Sequence, residues 1–417
     1  MNKKRLLCLL TSVCLSAAMC ARPAMAYTDV EQDDAFYEAV QQAGQYGLMN
    51  GTGEELFEPD EAVSRAMLVT ILGRVLGAPI SQYQQPSGFS DVVQGSWYAP
   101  FVAWAADCGI ASGVGGGLFE PERTVTRQEA AVFILRAYNE AGLGPQGAWS
   151  IRLDYSDLAD VDQWAYEGVS YCTLKEVMGD IDGRFEPDSA VSRGDAAVMA
   201  MALFDDVTAG LYEKAVTDAV DAEPDEVYPL VTLVPGEPMT TWNEDGRVLL
   251  LTWHDEPESY PQGQDVTLEN SEVWTFTDGE IQSWYQSEGQ DAASVVLRLE
   301  QLIGLPRDSG YTHVSALWVQ PEDLLRPAYC TDAADEHMDN YFSGQTDSDY
   351  LTWFEANIEW SYTQSAYPWT RLGYTYDWSL YGDEYGLTEF IICPGSEVTV
   401  EFTQSTQEFI NWLVQQQ

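Results

Sequence analysis

Three arginines, Arg65, Arg127 and Arg193, each stand 36 residues after an aspartate: Asp29, Asp91 and Asp157. A guanidinium is a planar fork of N–H donors that matches carboxylate or phosphate oxygens. Each arginine follows a Ser or Thr of N-cap type (Ser64, Thr126, Ser192), which places it in the first turn of a helix. Free backbone N–H groups and the helix dipole favour an anion there. The chain has 19 Lys+Arg against 67 Asp+Glu, so three cations at one repeated position point to an anionic ligand. The aromatics Phe36, Trp97 and Trp164, early in each copy, offer apolar faces suited to sugar rings. The competing roles are structural. Each Arg would pair with its own copy's Asp to hold a loop, and the aromatics would pack in a core.

The elements that position these residues are written three times. Tyr27-Thr28-Asp29-Val30, Phe89-Ser90-Asp91-Val92 and Tyr155-Ser156-Asp157-Leu158 open the copies. Gly51, Gly113 and Gly179 follow 22 residues after the Asp, and Phe57, Phe119 and Phe185 follow 28 after it. Such periodicity marks a repeat architecture. Each copy predicts helix, loop, helix. In the second, Tyr98, Val102, Ala105 and Ala106 recur at helical spacing. Gly113 is expected to end that helix. Thr126 with Glu129 forms a capping box at the start of the next helix. Ser192 and Asp195 fill the same slots in the third copy, whereas the first has Ser64 but Met67.

The aromatic-Ser/Thr-Asp start, the Phe-Glu-Pro turn and the Val-Ser/Thr-Arg helix start resemble the S-layer homology (SLH) domain. That family is the cell-wall-anchoring module of bacterial surface proteins. The resemblance covers residues 27–206, with repeats at 27–80, 87–145 and 153–206. It implies a mainly α triplet of helix-loop-helix repeats around a pseudo-threefold axis. It also implies that grooves between repeats hold an anionic, often pyruvylated, secondary wall polysaccharide. Carried over by position, it nominates Arg65, Arg127, Arg193, Asp29, Asp91, Asp157, Phe36, Trp97 and Trp164 as ligand-binding. Repeats two and three look competent. Repeat one has Glu54-Glu55 for the Gly-rich loop and Met67 for an acid, so Arg127 and Arg193 are expected to matter more than Arg65.

Residues 1–26 read as a secretory signal: Lys3, Lys4 and Arg5, an apolar run, then Ala24-Met25-Ala26. Export follows from it, and the resemblance of the repeats implies the cell wall or S-layer surface as the destination. The formal charge is −48; the first 26 residues hold four basic and no acidic residues, so the remainder carries −52. Such a surface repels nucleic acid and anionic lipid. Cys108, Cys172, Cys330 and Cys393 allow three disulfide pairings. A Cys330–Cys393 bridge would staple the C-terminal part, while Cys108 and Cys172 suit a core.

Residues 207–226 read as an acidic helical linker, solvated. Residues 227–417 predict a separate α+β domain. Strands are expected at 231–234, 247–253, 272–277, 313–319, 386–393 and 397–402, and helices at 291–303, 349–362 and 407–414. This part holds ten of the fourteen Trp. No catalytic or cofactor motif is found in it, and no metal ligand is assigned. His254-Asp255-Glu256 and the acidic run 332–339 lack a recognised spacing. Its alternatives are a wall-tethered polysaccharide hydrolase and a carbohydrate-binding or adhesive module. A converging carboxylate pair in a Trp-lined cleft would mark the hydrolase.

Overall fold

The structure is a computed structural model and describes residues 27–53, 55–269 and 272–415. The expected signal at 1–26 lies outside the described residues. Two units separate near residue 211.

The N-terminal unit is helical. Its helices are α1 (Tyr37–Gln45), α2 (Arg65–Leu76), α3 (Ala99–Asp107), α4 (Arg127–Glu140), α5 (Tyr166–Leu174) and, as far as Leu211, α6 (Arg193–Asp218), whose residues from Tyr212 belong to the C-terminal unit. Each repeat supplies two. The second helices begin at the expected caps: Ser64, Thr126 and Ser192 side chains accept from the backbone N–H three residues on. The Thr126–Glu129 capping box is complete. Helix α3 ends at Cys108 and Gly109, not at Gly113. Gly113 has another reason to be glycine. A Cβ there would come within 2.6 Å of the Phe89 ring and of the Leu118 carbonyl. Second helices pack on the first helices of the next repeat, α2 on α3 and α4 on α5. Gly168 permits the latter, because a Cβ would meet the Ala131–Val132 backbone at 2.9 Å.

The expected solvated linker at 207–226 is a correction. Helix α6 runs unbroken to Asp218. Beyond it the chain is bonded into the C-terminal unit. Arg371 Nη2 donates to the carbonyls of Ala219 and Val220. Tyr374 and Tyr376 hydroxyls donate to the Glu226 carbonyl and the Asp218 carboxylate.

The C-terminal unit is α+β, built on one antiparallel sheet. Its strands are β1 (Val248–His254), β2 (Asp265–Leu268), β3 (Val273–Thr277), β4 (His313–Val319), β5 (Leu324–Leu325), β6 (Tyr374–Asp377), β7 (Glu384–Ile392) and β8 (Ser396–Ser405). The order is β2-β8-β4-β1-β3-β7-β5, with β6 also pairing β7. Helices α7 (Asp278–Ser287), α8 (Val295–Leu302), α9 (Ser348–Glu359) and α10 (Thr406–Gln415) complete it. Strand β1 is buried throughout, so both sheet faces are covered. Leu249, Leu251 and Trp253 face one core with Trp284, Leu299 and Phe409. Val248 and Leu250 face the other with Leu317, Phe390 and Val400. Trp253, Trp284, Trp353, Trp369 and Trp378 are buried, which fits a Trp-rich core, while Trp360 is exposed. Residues 231–234 are not a strand. Cys108, Cys172, Cys330 and Cys393 are not in disulfides, so the Cys330–Cys393 staple is absent. Among the described residues no helix is long and apolar enough to cross a membrane.

Buried ionisable groups set how each unit responds to acid. In the N-terminal unit burial alone would raise the Asp29, Asp91 and Asp157 pKa values, but backbone amide hydrogen bonds outweigh it and hold them low. A depressed folded pKa gives stability that is present above the unfolded value of 3.8 and lost as pH falls through the folded one. In the C-terminal unit burial pushes Glu300 up to about 7 from an ordinary 4.5. Burial also raises the Glu389 carboxyl well above the usual carboxylate range inside β7. A raised carboxyl pKa costs stability as pH rises from the unfolded value through the folded one. Lowering pH from 7 to 5 should therefore stabilise the C-terminal unit by about 2 kcal/mol through Glu300, while His254, which burial holds down to about 4, should take back a similar amount because it protonates first in the unfolded chain. Only below about pH 4 should the N-terminal unit weaken. Calorimetry across pH, resolving two transitions, checks both units.

Candidate functional site

The repeated Asp does structural work inside its own copy. Asp91 Oδ1 accepts from Phe119 N–H at 2.8 Å and Oδ2 from Glu120 N–H at 2.7 Å. Asp29 holds Phe57 and Glu58 likewise, and Asp157 holds Phe185 and Glu186. The grip has a purpose. Glu58, Glu120 and Glu186 lie in the left-handed region at φ 57°, 57° and 55°, which a non-glycine residue adopts only when its surroundings hold it there. Each turn buries its Phe completely against the opening aromatic of the copy, Tyr27, Phe89 or Tyr155.

The repeated Arg reaches across to the next copy. Arg65 Nε donates to Phe119 O at 2.9 Å and Nη2 to Ser112 O at 2.8 Å. Arg127 donates to Phe185 O and Gly179 O at 2.8 and 2.7 Å. Arg193 closes the circle, donating to Phe57 O and Asn50 O, each at 2.8 Å. Each guanidinium also lies over the Phe ring it reaches, 4.6–5.1 Å from the centroid. Burial lowers all three pKa values, yet a guanidinium remains charged. None of the three forms an ion pair with the repeated Asp among the described residues. Arg65 Nη1 instead lies 3.5 Å from Glu129.

The helix starts are occupied too. N–H groups of Arg65 and Ala66 donate to Arg123 O and Pro121 O; those of Arg127 and Gln128 to Ser189 O and Pro187 O; those of Arg193 and Gly194 to Glu61 O and Pro59 O. With the third N–H on its cap, the first turn has no free donor for an anion. The helix dipole serves the joint between copies. Beside it, Val63 N–H donates to Val191 O, Val191 to Val125 O, and Val125 to Val63 O, a second closed circle.

The aromatics divide. Trp97 and Trp164 are each 57% exposed, directly before the residues that cap α3 and α5. Phe36 is itself the residue capping α1, so its counterpart is Tyr98, and the counterpart of the tryptophans is Ala35. Phe36 is half-buried against Gly194, where a Cβ would come within 2.8 Å of its ring. It packs a joint and offers no open ring face like those of the tryptophans.

The structure therefore regroups the nominated residues by joint. The joint of repeats one and two brings Arg65 and Asp91 together, with Trp97 directly before the cap of α3, the helix packed on α2. That of two and three brings Arg127 and Asp157 together, with Trp164 directly before the cap of α5, the helix packed on α4. That of three and one collects Arg193, Asp29 and Phe36. The first two also carry partly exposed arginines, Arg123 and Arg184, where repeat one has Glu61 and Leu56. Repetition hid Gln128, which is buried and donates to Asp162 and Asp188, because Ala66 and Gly194 hold the matching positions.

In the C-terminal unit, Asp218, Glu226 and Glu384 bring carboxylate oxygens within 4.8 Å of one another. Burial raises the Glu226 and Glu384 pKa values, with Asp218 adding to both. The hydrogen-bonded neighbours are Tyr374 and Tyr376, not the tryptophans that a Trp-lined hydrolase cleft would supply.

The family model of the S-layer homology domain matches residues 26–66, 88–131 and 154–197. A "Cell surface protein" of Thermoanaerobacter kivui is 29% identical over 178 residues, 42% of this chain and 20% of that protein. "S-layer protein sap" of Bacillus anthracis is 27% identical over 171 residues, 41% of this chain and 20% of the relative. An "Endoglucanase" of Bacillus sp. (strain KSM-635) is 27% identical over 228 residues, 54% of this chain and 23% of the relative. The chain thus spans about a fifth of the length of these relatives.

Proposed function

The chain carries three S-layer homology domains, and from that premise we propose that it is a surface protein anchored non-covalently to a bacterial cell wall. The ligand is an anionic secondary wall polysaccharide, pyruvylated in one form. The three repeats sit about a pseudo-threefold axis, which the two closed circles of hydrogen bonds support. The polymer lies along the joints of repeats one with two and two with three. The observation that carries this reading is the pair of exposed tryptophans, Trp97 and Trp164, at the starts of the first helices of repeats two and three, which also carry the partly exposed, ion-paired Arg123 and Arg184. The buried arginines act chiefly by fixing the loops that shape each joint. The C-terminal unit is the part displayed. The surface location follows from the anchoring and agrees with the names of the relatives.

Sedimentation with purified walls tests this. Residues 27–417 should pellet with walls that retain their secondary polysaccharide and stay soluble with walls stripped of it. Equal retention on stripped walls would assign the ligand to peptidoglycan and sink the proposal.

A further inference from the structure

The loop after β5 gathers three chemically different ligand groups. Cys330, His337 and Asp339 each bring one ligand atom within 4.8 Å of the other two. His337 Nε2 stands 3.4 Å from Asp339 Oδ1. The loop that presents them is held from inside. Arg326 is fully buried beneath it. Its Nη1 donates to Asp332 O at 3.0 Å and Asp335 O at 2.6 Å, and its Nη2 to Val231 O at 3.0 Å. The Arg326 N–H donates to Thr331 O, drawing the chain back beside Cys330. The His337 N–H donates to Asp335 Oδ1 at 3.0 Å. Met338 is buried with Leu230, Ala328 and Leu372, so it pins the backbone between His337 and Asp339 while their side chains stay outside that core. Asn340 Nδ2 then ties the chain to Ala222 O at 3.0 Å.

We propose that Cys330, His337 and Asp339 bind a divalent transition-metal ion of the zinc type. Thiolate with imidazole selects zinc-like ions over calcium or magnesium, which prefer all-oxygen sites. Three protein ligands leave a fourth tetrahedral position for water or a ligand from outside. Tetrahedral zinc needs ligand atoms ~3.3–3.8 Å apart; the His337–Asp339 pair at 3.4 Å already meets this, and Cys330 must close by at most about 1 Å. The His337 side chain is 63% exposed and free to turn inward. The site is independent of wall anchoring.

Cobalt(II) serves as the probe, added to residues 27–417 with thiols reduced. One equivalent should bind with a thiolate-to-cobalt charge-transfer band, unaffected by excess magnesium and displaced by zinc. Cys330→Ser should abolish the band. His337→Ala and Asp339→Asn should each weaken binding at least tenfold, and Cys393→Ser should leave it unchanged. Carboxylates elsewhere on so acidic a chain will also take cobalt, but only metal on sulfur gives the band. Absence of the band, or its survival in Cys330→Ser, overturns the site. Unchanged affinity in His337→Ala, whose exposed side chain can be removed without harming the fold, overturns it as well.

Discussion

Arg65→Ala, Arg127→Ala and Arg193→Ala should each destabilise the N-terminal unit by about 3–5 kcal/mol, among the largest single-residue losses in the chain. Each arginine is 3–8% exposed and satisfies two carbonyls of a neighbouring repeat. Removing it leaves both carbonyls with a lost charge-assisted bond, at ~1.5–3 kcal/mol apiece, and frees a Phe ring from a cation. Lysine should restore less than half, because one ammonium cannot reach two carbonyls as the planar fork does. The three joints form one circle, so a double variant should depart from additivity by at least ~0.5 kcal/mol. Arg152, whose side chain is 87% exposed, is the control and should cost less than ~0.5 kcal/mol. Urea unfolding followed by circular dichroism, with calorimetry to separate the two units, measures all of this. Losses below about 1 kcal/mol at all three sites would mean that the arginines do not hold the repeats together.

The same residues show where sequence was and was not enough. The caps at Ser64, Thr126 and Ser192 were legible because a cap is local: its donor lies three residues away. The arginines' partners were not, because fixed spacing pairs residues within a copy. Their bonds span 54, 58 and 136 residues, from one copy to the next. Expecting Arg193 to outrank Arg65 came from judging each Arg by its own repeat's loop. Phe36 and Trp164 each stand 7 residues after their repeat's Asp, yet repeat three reaches its helix one residue later, so the helix start is the true register. In the C-terminal unit, β1 and β4 were legible as β-branched and aromatic runs. Residues 231–234 have the same composition but no strand partner. The Val231 N–H goes to Thr388 Oγ1 and the Leu233 N–H to Ala333 O. Helix α7 was not among the expected helices; it starts on Asp278-Gly279, a turn-type pair, yet Thr277 caps it and Asp278 is buried on Thr241. Gly279 sits where a Cβ would strike the Met239 backbone at 2.6 Å, a constraint visible only once the two segments meet.

Trp97→Ala and Trp164→Ala should each weaken wall binding about tenfold and together about a hundredfold, with no change in melting. Both rings are 57% exposed, so little packing is lost with them. Covering an aromatic face with a sugar ring removes apolar surface from water on both partners, and ~1.5 kcal/mol per ring corresponds to about tenfold in affinity. The two belong to different joints, so their effects should add. Phe36→Ala should do the reverse. It empties the contact on Gly194 and lowers stability, while binding per folded molecule stays within about twofold. The joint of repeats three and one has Ala35 at the tryptophan position and Glu61 where Arg123 stands in repeat two. Ala35→Trp, at an exposed site, should therefore add less affinity than either native tryptophan supplies, because an aromatic face alone does not offset the acid beside it. Equilibrium binding to walls, normalised by the folded fraction from circular dichroism, separates these outcomes. Tryptophan variants that bind like the unaltered chain would move the ligand away from these two joints. A Phe36→Ala chain that folds normally and loses the wall would return the site to the third joint.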